Sequence, residues 1–377
     1  MYKRQLGNLP ALSVMGTGGM RLPCDANGTV DLDRMQEMID FLIESGVNYF
    51  DSAFGYHEGQ SEGAFGHCLK KHDRSRFHMA TKIPPWNFDT EEGLKDIFQK
   101  QLDRLQMAYL DFSLIHALGR DMWEKMKRLN AHEFQHRMRQ EGKIGYIGFS
   151  FHDNSKALEQ ILNEGQWDFV QLAMDYTSWS GDIQNCYRIL EERGIPCMIM
   201  TPLRGGALAR LPEKLQTPFK KMDPNASPAS WAMRWAASLP GVAVVLSGVN
   251  SMKECRENTS LFKPFEPFNE EEQQACQKVV ALAESFQGTP CNTCRYCMPC
   301  PAGVDIPGMF WIYNDLKKFE DVNMAKWRYG GEFTAERLAD KCTGCEQCME
   351  KCPQKIDIPK ELKQVHETFT EIKKASE

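Results

Sequence analysis

The sequence predicts an α/β fold in which an eight-stranded (β/α)8 barrel is followed by a smaller, mainly α-helical domain. Residues 1–283 alternate short apolar runs with amphipathic stretches of helical spacing, the pattern of buried parallel strands and their crossover helices. Residues 284–377 combine cysteine-rich loops with a helical spacer at about 306–338 and a helical tail at about 360–374. We therefore place a domain boundary between residues 283 and 284.

Eight apolar runs are the candidate strands of the barrel. They are residues 12–15, 47–50, 77–81, 112–115, 144–149, 169–172, 197–200 and 242–246. Helical stretches lie between them, at residues 32–44, 91–105, 157–164, 183–192 and 229–237 among others. Eight such alternations in about 250 residues match a TIM barrel. A doubly wound open sheet is the alternative, but the first strand is not followed by the G-x-G-x-x-G pattern of such sheets.

Composition narrows the class of protein. The chain has 377 residues, a net charge of −6 and 42% hydrophobic residues, which excludes a disordered or collagen-like protein. The acidic balance argues against a nucleic-acid partner. There is no apolar run of membrane-spanning length and no signal-peptide core at the N-terminus. We expect a cytoplasmic protein with no membrane partner.

The cysteines are unusually grouped. Of fourteen, eight lie between residues 291 and 352. In a reducing compartment such grouping favours metal ligation over disulfides. The other six are interpreted as ordinary thiols. They are Cys24, Cys68, Cys186, Cys197, Cys255 and Cys276.

The eight grouped cysteines form two quartets in sequence, each followed by proline. They are Cys291, Cys294, Cys297 and Cys300, then Cys342, Cys345, Cys348 and Cys352. The second reads C-x2-C-x2-C-x3-C-P, the bacterial ferredoxin signature, in which the fourth cysteine ligates the other cluster. This pattern predicts two 4Fe–4S clusters. By its logic Cys352 joins the first three cysteines, and Cys300 joins Cys342, Cys345 and Cys348.

Two points leave this interpretation open. Pairs of C-x2-C also suit tetrahedral zinc, so two zinc sites are the alternative. The first group has two residues, not three, before its last cysteine, which weakens the pairing of Cys300. The helical spacer between the groups resembles the alpha-helical ferredoxin modules of respiratory iron–sulfur subunits. The repeated sequences VDIP at 304–307 and IDIP at 356–359 support an internal repeat.

Four polar residues lie at or just after successive barrel strands, where a TIM barrel carries its chemistry. They are Asp51, Tyr56, Lys82 and His116. The ammonium of Lys82 is expected to lower the pKa of Tyr56, and Asp51 to hold Lys82 in place. His116 would orient a carbonyl oxygen by a hydrogen bond. Each residue alone also has a structural interpretation, as a helix cap, a packed ring or a solvated charge.

The segments FDSAFGY, MATKI, DFSLIHAL and GKIGYIGFS resemble the aldo-keto reductase family, from about residue 6 to residue 284. With the cysteine-rich tail, the chain resembles the ferredoxin-containing aldo/keto reductases. The resemblance implies that Asp51, Tyr56, Lys82 and His116 are the catalytic residues. It implies hydride transfer between NAD(P)H and a carbonyl, with Tyr56 as the proton donor.

The resemblance also implies cofactor contacts, which match less completely. Ser150 and Gln171 fall on the carboxamide-binding positions of the family. Gly205, Gly206 and Gly248 could cradle a pyrophosphate through their backbone. Phe151, Met200 and Glu254 depart from the residues that are usual in the family. An acidic residue such as Glu254 disfavours a 2′-phosphate, although Lys253 or Arg256 could substitute for the missing cation.

These predictions leave three functions open. The first is an oxidoreductase that reduces or forms a small carbonyl or alcohol, coupled to a two-cluster electron-transfer domain. A cluster passes one electron at a time and hydride carries two, so a flavin-dependent reductase fed by a ferredoxin-like partner is the second. The third is a non-catalytic redox sensor or electron carrier. The second function requires a redox partner protein, and the first is compatible with one.

Overall fold

A computed structural model describes residues 1–286 and 288–375 of the chain. By their contacts these residues form two compact units. The first comprises Met1–Arg204 and Ser230–Glu271, and the second comprises Gly205–Ala229 and the chain from Glu272 onward. The boundary between residues 283 and 284 stays a prediction. In the described part of the chain, no helix is both long and apolar enough to cross a membrane.

The first unit contains a closed barrel of eight parallel strands, which confirms the predicted fold class. Its strands are β3 Met15–Gly18, β4 Tyr49–Asp51, β5 His78–Ile83, β6 Leu110–Leu118, β7 Ile144–Phe151, β8 Phe169–Ala173, β9 Cys197–Met200 and β10 Val242–Ser247. They pair in chain order, and β10 closes the barrel against β3. All carboxyl ends therefore lie at one rim, where side chains from neighbouring strands converge.

The first strand of the barrel differs from its prediction. The run at residues 12–15 contributes β2, Leu12–Ser13, which pairs antiparallel with β1, Lys3–Arg4. The barrel strand begins only at Met15. Ser13 breaks the run because its hydroxyl donates to the Met15 carbonyl oxygen at 2.7 Å and its amide donates to the Asn48 side chain. The sequence after Met15, Gly-Thr-Gly, is not apolar enough to have indicated a strand.

Helices join the strands. Several begin where the side chain of a capping residue accepts a hydrogen bond from a backbone amide of the first turn. The helices up to the last strand are α1 Leu32–Glu44, α2 Gln60–Leu69, α3 Glu91–Leu105, α4 Arg120–Arg128, α5 Ala131–Gln140, α6 Ser155–Glu164, α7 Gly181–Glu192, α8 Glu213–Met222 and α9 Pro228–Ser238. They are followed by α10 Met252–Ser260 and α11 Glu270–Glu284. The side chains of Asp31, Thr90 and Asn154 cap α1, α3 and α6.

The interior of the barrel is filled. The ring of Phe112 lies 5.1 Å from that of Tyr49, 4.9 Å from that of Tyr146 and 5.3 Å from that of Phe169. Tyr49, Phe112 and Phe169 have no exposed surface. Because large side chains close the interior, the barrel is a packed core and not a pore.

The second unit contains the helices that flank the cysteines. They are α12 Ile306–Phe319, α13 Val322–Trp327, α14 Gln347–Glu350 and α15 Ile358–Lys374. The repeated VDIP and IDIP sequences start α12 and α15 in the same way, since Asp305 and Asp357 cap them and proline occupies the first turn. The predicted spacer helix is thus two helices followed by short turns, because Glu320 takes a left-handed conformation that ends α12.

Candidate active site and candidate metal centres

Lys82 and Asp51 form a buried ion pair at the carboxyl rim of the barrel. Neighbouring strands β4 and β5 carry them, and Lys82 is only 1% exposed. The Lys82 ammonium donates to the Asp51 carboxylate and, at 2.7 Å, to the carbonyl oxygen of Ser52. Gln171 donates from Nε2 to the other Asp51 oxygen at 3.2 Å. Both charges therefore have partners, which a buried pair needs to persist.

The ion pair keeps Lys82 charged. Burial alone would lower the pKa of Lys82, but the charge of Asp51, the nearby Tyr56 and their hydrogen bonds outweigh it and raise that pKa above its usual value. The ammonium is consequently a fixed positive charge at the rim.

Tyr56 lies against this charge. It follows β4 at the start of a short 3-10 turn, Tyr56–Gly59, and is half-buried. Its ring centroid is 5.0 Å from Lys82 Nζ. Burial raises the pKa of Tyr56, and the opposing effect of Lys82 is smaller, so the net shift is upward. The expectation of a lowered pKa was wrong. Loss of solvent destabilises the phenolate more than the charge of Lys82 stabilises it.

His116 completes the group as a neutral imidazole. Its ring is nearly perpendicular to that of Tyr56, with centroids 5.9 Å apart. Burial, together with the charge of Lys82, lowers the pKa of His116 to about 3. Its Nδ1 is buried and has no hydrogen-bond partner among the described residues. The ring can thus hydrogen-bond a ligand oxygen without bringing a charge.

Ser150 and Gln171 lie beside this group. Ser150 and Gln171 are paired in register on β7 and β8 and are fully buried. The Gln171 Oε1 has no hydrogen-bond partner in the described chain, while Ser150 Oγ accepts from the Ala117 amide at 2.8 Å. Gly248 follows β10 in the first unit, and the positive-φ pair Gly205 and Gly206 belongs to the second.

Glu254 takes part in the hydrogen bonds at the start of α10. Its carboxylate accepts from the Asn250 amide at 2.9 Å, and its own amide donates to Ser251 Oγ at 3.3 Å. Ser251 is thus the N-cap of α10, and Glu254 in the first turn bonds the amide of the residue before the cap. A negative charge therefore already occupies the helix end that would otherwise attract an anion.

The eight grouped cysteines line two cavities in the second unit. One, of about 320 Å³ including space open to solvent, is lined by Cys291, Cys294, Cys297 and Cys352. The other, of about 310 Å³ on the same measure, is lined by Cys300, Cys342, Cys345 and Cys348. Each cavity thus takes three cysteines from one sequence group and the last cysteine of the other, which is the combination that the ferredoxin logic predicts.

The spacing of these thiols bears on the zinc alternative. Across residues 1–286 and 288–375, no three His, Cys, Asp or Glu side chains are placed to hold a single metal ion. Zinc would require thiolates about 2.3 Å from one centre. A 4Fe–4S cluster places each thiolate on a different iron, so its ligands stand farther apart. Zinc and a 4Fe–4S cluster therefore differ in how far apart they require the four thiolates to stand.

Comparison with protein families decides the class of the barrel. The family model described as the aldo/keto reductase family matches residues 14–281, which is more than half of the chain. The chain belongs to the aldo/keto reductase family. A second model, a 4Fe-4S dicluster domain, matches residues 290–362. The predicted resemblance is confirmed: an aldo/keto reductase domain is followed by a 4Fe–4S domain.

This aldo/keto reductase is similar to characterised and uncharacterised oxidoreductases. It is 25% identical to the uncharacterized oxidoreductase YqkF of Bacillus subtilis over 292 residues, which is 68% of this chain and 90% of that protein. It is 27% identical to the NADH-specific methylglyoxal reductase of Escherichia coli over 235 residues, which is 55% of this chain and 69% of that one. Membership and relatives agree that the protein is an oxidoreductase.

A solved structure shows the same fold as this aldo/keto reductase. The holo form of the aldo-keto reductase AKR11C1 from Bacillus halodurans has a TM-score of 0.62 and 23% identity. The similarity covers 74% of this chain and 96% of that one.

A partly buried network next to the active-site candidates could not be predicted from the sequence. Arg104 on α3 donates to the Phe54 carbonyl oxygen at 3.0 Å and pairs with Glu62 at 3.2 Å. Gln101 donates to the Lys82 carbonyl oxygen at 3.0 Å. The network connects the loop of Tyr56 to the end of β5. Polar residues on amphipathic helices normally face solvent, so no sequence signal could have singled these out.

Trp86 was also missed. Its ring lies 5.1 Å from that of His116, and the side chain is 55% exposed. A tryptophan shortly after a barrel strand is the signal that could have found it, because this is where the loops of the carboxyl rim begin.

Proposed function

We propose that this protein interconverts a small carbonyl compound and its alcohol with NAD(P)H, that Tyr56 is the proton donor, and that its C-terminal domain carries two 4Fe–4S clusters. The observation that carries the proposal is the charged, buried Lys82, held by Asp51 and placed 5.0 Å from the ring of a protonated Tyr56. An ammonium held next to a phenol is the arrangement that stabilises a phenolate as it forms.

The rim has an acceptor suited to a nicotinamide carboxamide. The Gln171 side chain uses its Nε2 to donate to Asp51, which leaves Oε1 buried without a partner among the described residues. A carboxamide N–H would satisfy that oxygen, so the site fits the dinucleotide. NAD(P)H, when bound, supplies the hydride that the carbonyl carbon receives.

The chain's own residues handle the oxygen of the substrate. His116, being neutral, donates a hydrogen bond to the carbonyl oxygen and orients it. Tyr56 gives its phenolic proton to that oxygen, so the C=O becomes C–O–H. Lys82 stabilises the tyrosinate that remains, because the positive charge is already in place and needs no reorganisation. Tyr56 regains its proton from solvent, and oxidation of the alcohol is the reverse.

Glu254 favours NADH over NADPH. Its carboxylate lies at the start of α10, where the family similarity puts the phosphate-binding segment. A 2′-phosphate there would meet a like charge instead of an arginine. The Escherichia coli relative is named as an NADH-specific reductase of methylglyoxal, which supports both this preference and a small carbonyl as substrate class.

The clusters would be held by the two cavity quartets. Cys352 completes the first with Cys291, Cys294 and Cys297, and Cys300 completes the second with Cys342, Cys345 and Cys348. Such clusters supply single-electron transfer. Because the clusters transfer single electrons, we expect a redox partner protein that exchanges single electrons with this domain.

The decisive experiment is Tyr56→Phe on anaerobically purified protein, assayed with NADH and NADPH against a panel of small aldehydes and ketones. Losing the proton donor should lower kcat by about 10²–10⁴-fold, while NADH affinity, measured by fluorescence titration, stays the same. Tyr109→Phe, at an exposed tyrosine before β6, is the matched control. Full turnover in Tyr56→Phe would end the assignment.

The same preparation tests the cofactors. Iron and acid-labile sulfide should be present in equal amounts, four of each per cluster. Bound nucleotide released by denaturation should be NAD(H) or NADP(H). Zinc in place of iron would contradict the cluster assignment, and released flavin would favour a flavin-dependent reductase fed by a ferredoxin-like partner.

A further inference from the structure

Arg295 and Glu346 occupy the same place in the two cysteine groups. Each directly follows the second cysteine of its group, Cys294 and Cys345. Both have a left-handed backbone, with φ of 63° and 61°. The two loops therefore turn at the same point, and they present side chains of opposite charge there.

Each of these residues lines the cavity of its own group. Arg295 borders the cavity of Cys291, and Glu346 borders the cavity of Cys342. Considering the described residues alone, each is the one charged side chain in the lining of its cavity. The two candidate cluster sites thus differ in the sign of their nearest lining charge.

The surroundings of Arg295 leave its cavity with a positive excess. Arg295 pairs with Asp305 at 3.6 Å, and Arg337 pairs with the same carboxyl group at 2.6 Å. Two guanidinium groups share one carboxylate, so the positive charge beside this cavity is only partly neutralised.

One residue is common to the linings of the two cavities. Ile306, at the start of α12, lines both of them and is 1% exposed. When two centres exchange electrons, the difference between their reduction potentials decides on which of them an electron stays.

We propose that Arg295 and Glu346 set the direction of electron flow in this domain, by raising the reduction potential at the Cys291 cavity and lowering it at the Cys342 cavity. This rests on the proposed function, namely that both quartets hold 4Fe–4S clusters. Reduction adds one negative charge, which a nearby cation stabilises and a nearby anion destabilises. One electron then passes from the Cys342 side to the Cys291 side. No bond breaks and no proton moves, and a one-electron donor of ferredoxin type supplies the electron.

The test is a redox titration of the anaerobic holoprotein with dithionite, followed by EPR. Two one-electron midpoints are expected. Arg295→Asn should lower only the higher midpoint, and Glu346→Asn should raise only the lower one. Asparagine is chosen because it tolerates the left-handed backbone at both positions. Because Arg295 is 58% exposed, the gap between midpoints should also narrow as salt is added.

The double variant Arg295→Glu with Glu346→Arg makes the test stricter. It should lower the midpoint of the Cys291 site and raise that of the Cys342 site. Lys373→Asn is the control, an exposed cation at the far end of α15, about 20 Å along the helix from Ile358. If protein with a full iron and sulfide count shows equal shifts in both midpoints, or no shift, the inference is wrong while the proposed function stands. Protein without iron would instead defeat the proposed function.

Discussion

The buried charge of Lys82 balances that of Asp51 at the barrel rim. Lys82→Met leaves the Asp51 carboxylate, which is 2% exposed, without its cation. Breaking a buried pair from one side costs about 3–5 kcal/mol, because the remaining charge cannot be solvated. We expect the free energy of unfolding, measured with urea at pH 7.5, to fall by that amount. The double variant Lys82→Met with Asp51→Asn should recover much of the loss. A double variant as unstable as the single would show that the charge is not the cause.

His116 gives the stability of the first unit a pH dependence. Its folded pKa is about 3 and its unfolded pKa about 6.5, so below pH 6.5 the unfolded chain binds a proton that the folded chain does not. Stability is therefore lost as the pH falls from 6.5 towards 3. Between pH 7.5 and 5.5, His116→Asn should lose about 1 kcal/mol less free energy of unfolding than the unchanged protein. Equal losses in urea titrations at the two pH values would contradict the neutral imidazole.

Sequence reasoning reached these residues but not their electrostatics. Asp51, Lys82 and His116 could be predicted because polar side chains at the ends of successive apolar runs must meet at one rim. The direction of the pKa shift of Tyr56 depends on how much solvent the loops exclude, and no pattern in the sequence contains that quantity. The role of Tyr56 as proton donor stays a prediction.

Two glycines on one helix show how closely α2 and α3 approach. A Cβ on Gly66 would lie 2.6 Å from the backbone oxygens of Arg104 and Leu105, whereas a Cβ on Gly63 meets nothing within 4 Å. Gly66→Ala must therefore push α3 away and should cost about 1–3 kcal/mol. Gly63→Ala should stabilise the protein by about 0.4–1 kcal/mol, since alanine restricts the unfolded chain. Thermal unfolding of both variants tests the pair, and equal effects would contradict the close contact.

The bounds of strands and helices were predicted correctly where burial is uniform along the whole element. The strand at residues 197–200 has the predicted bounds, because burial on both faces gives a continuous apolar run. The helix at residues 32–44 also has the predicted bounds, because burial along one stripe gives a helical periodicity of apolar residues. The start of the barrel could not be located, because β3 contains two glycines and one threonine beside a single methionine. Its strand conformation comes from pairing with β4 and β10, which is a tertiary effect.

The quartets in the second unit join distant parts of the chain. Cys352 lies beside Cys291 and Cys300 beside Cys342, so a filled pair of sites would hold the start of α12 against the start of α15. The rest of that unit is a modest apolar core, in which Tyr329 stacks on Phe369 with ring centroids 4.2 Å apart. The spacing of the cysteines could be predicted from the sequence. That the segment from Gly205 to Ala229 belongs to the same unit could not be predicted, because contacts between distant segments leave no local pattern in the sequence.

Removing iron should therefore loosen the second unit and spare the barrel. With the cross-links gone, the loop-closure entropy that they suppressed returns to that unit alone. We expect amide protection to be lost in α12 and α15, and also in α8, which is tied to the start of α13 by Lys214–Glu320 and Arg210–Asp321. Strands β4 to β8 should keep their protection. Hydrogen exchange of the anaerobic protein, before and after treatment with a chelator and a reductant, measures this. Equal loss in the barrel strands would mean that the two units unfold as one.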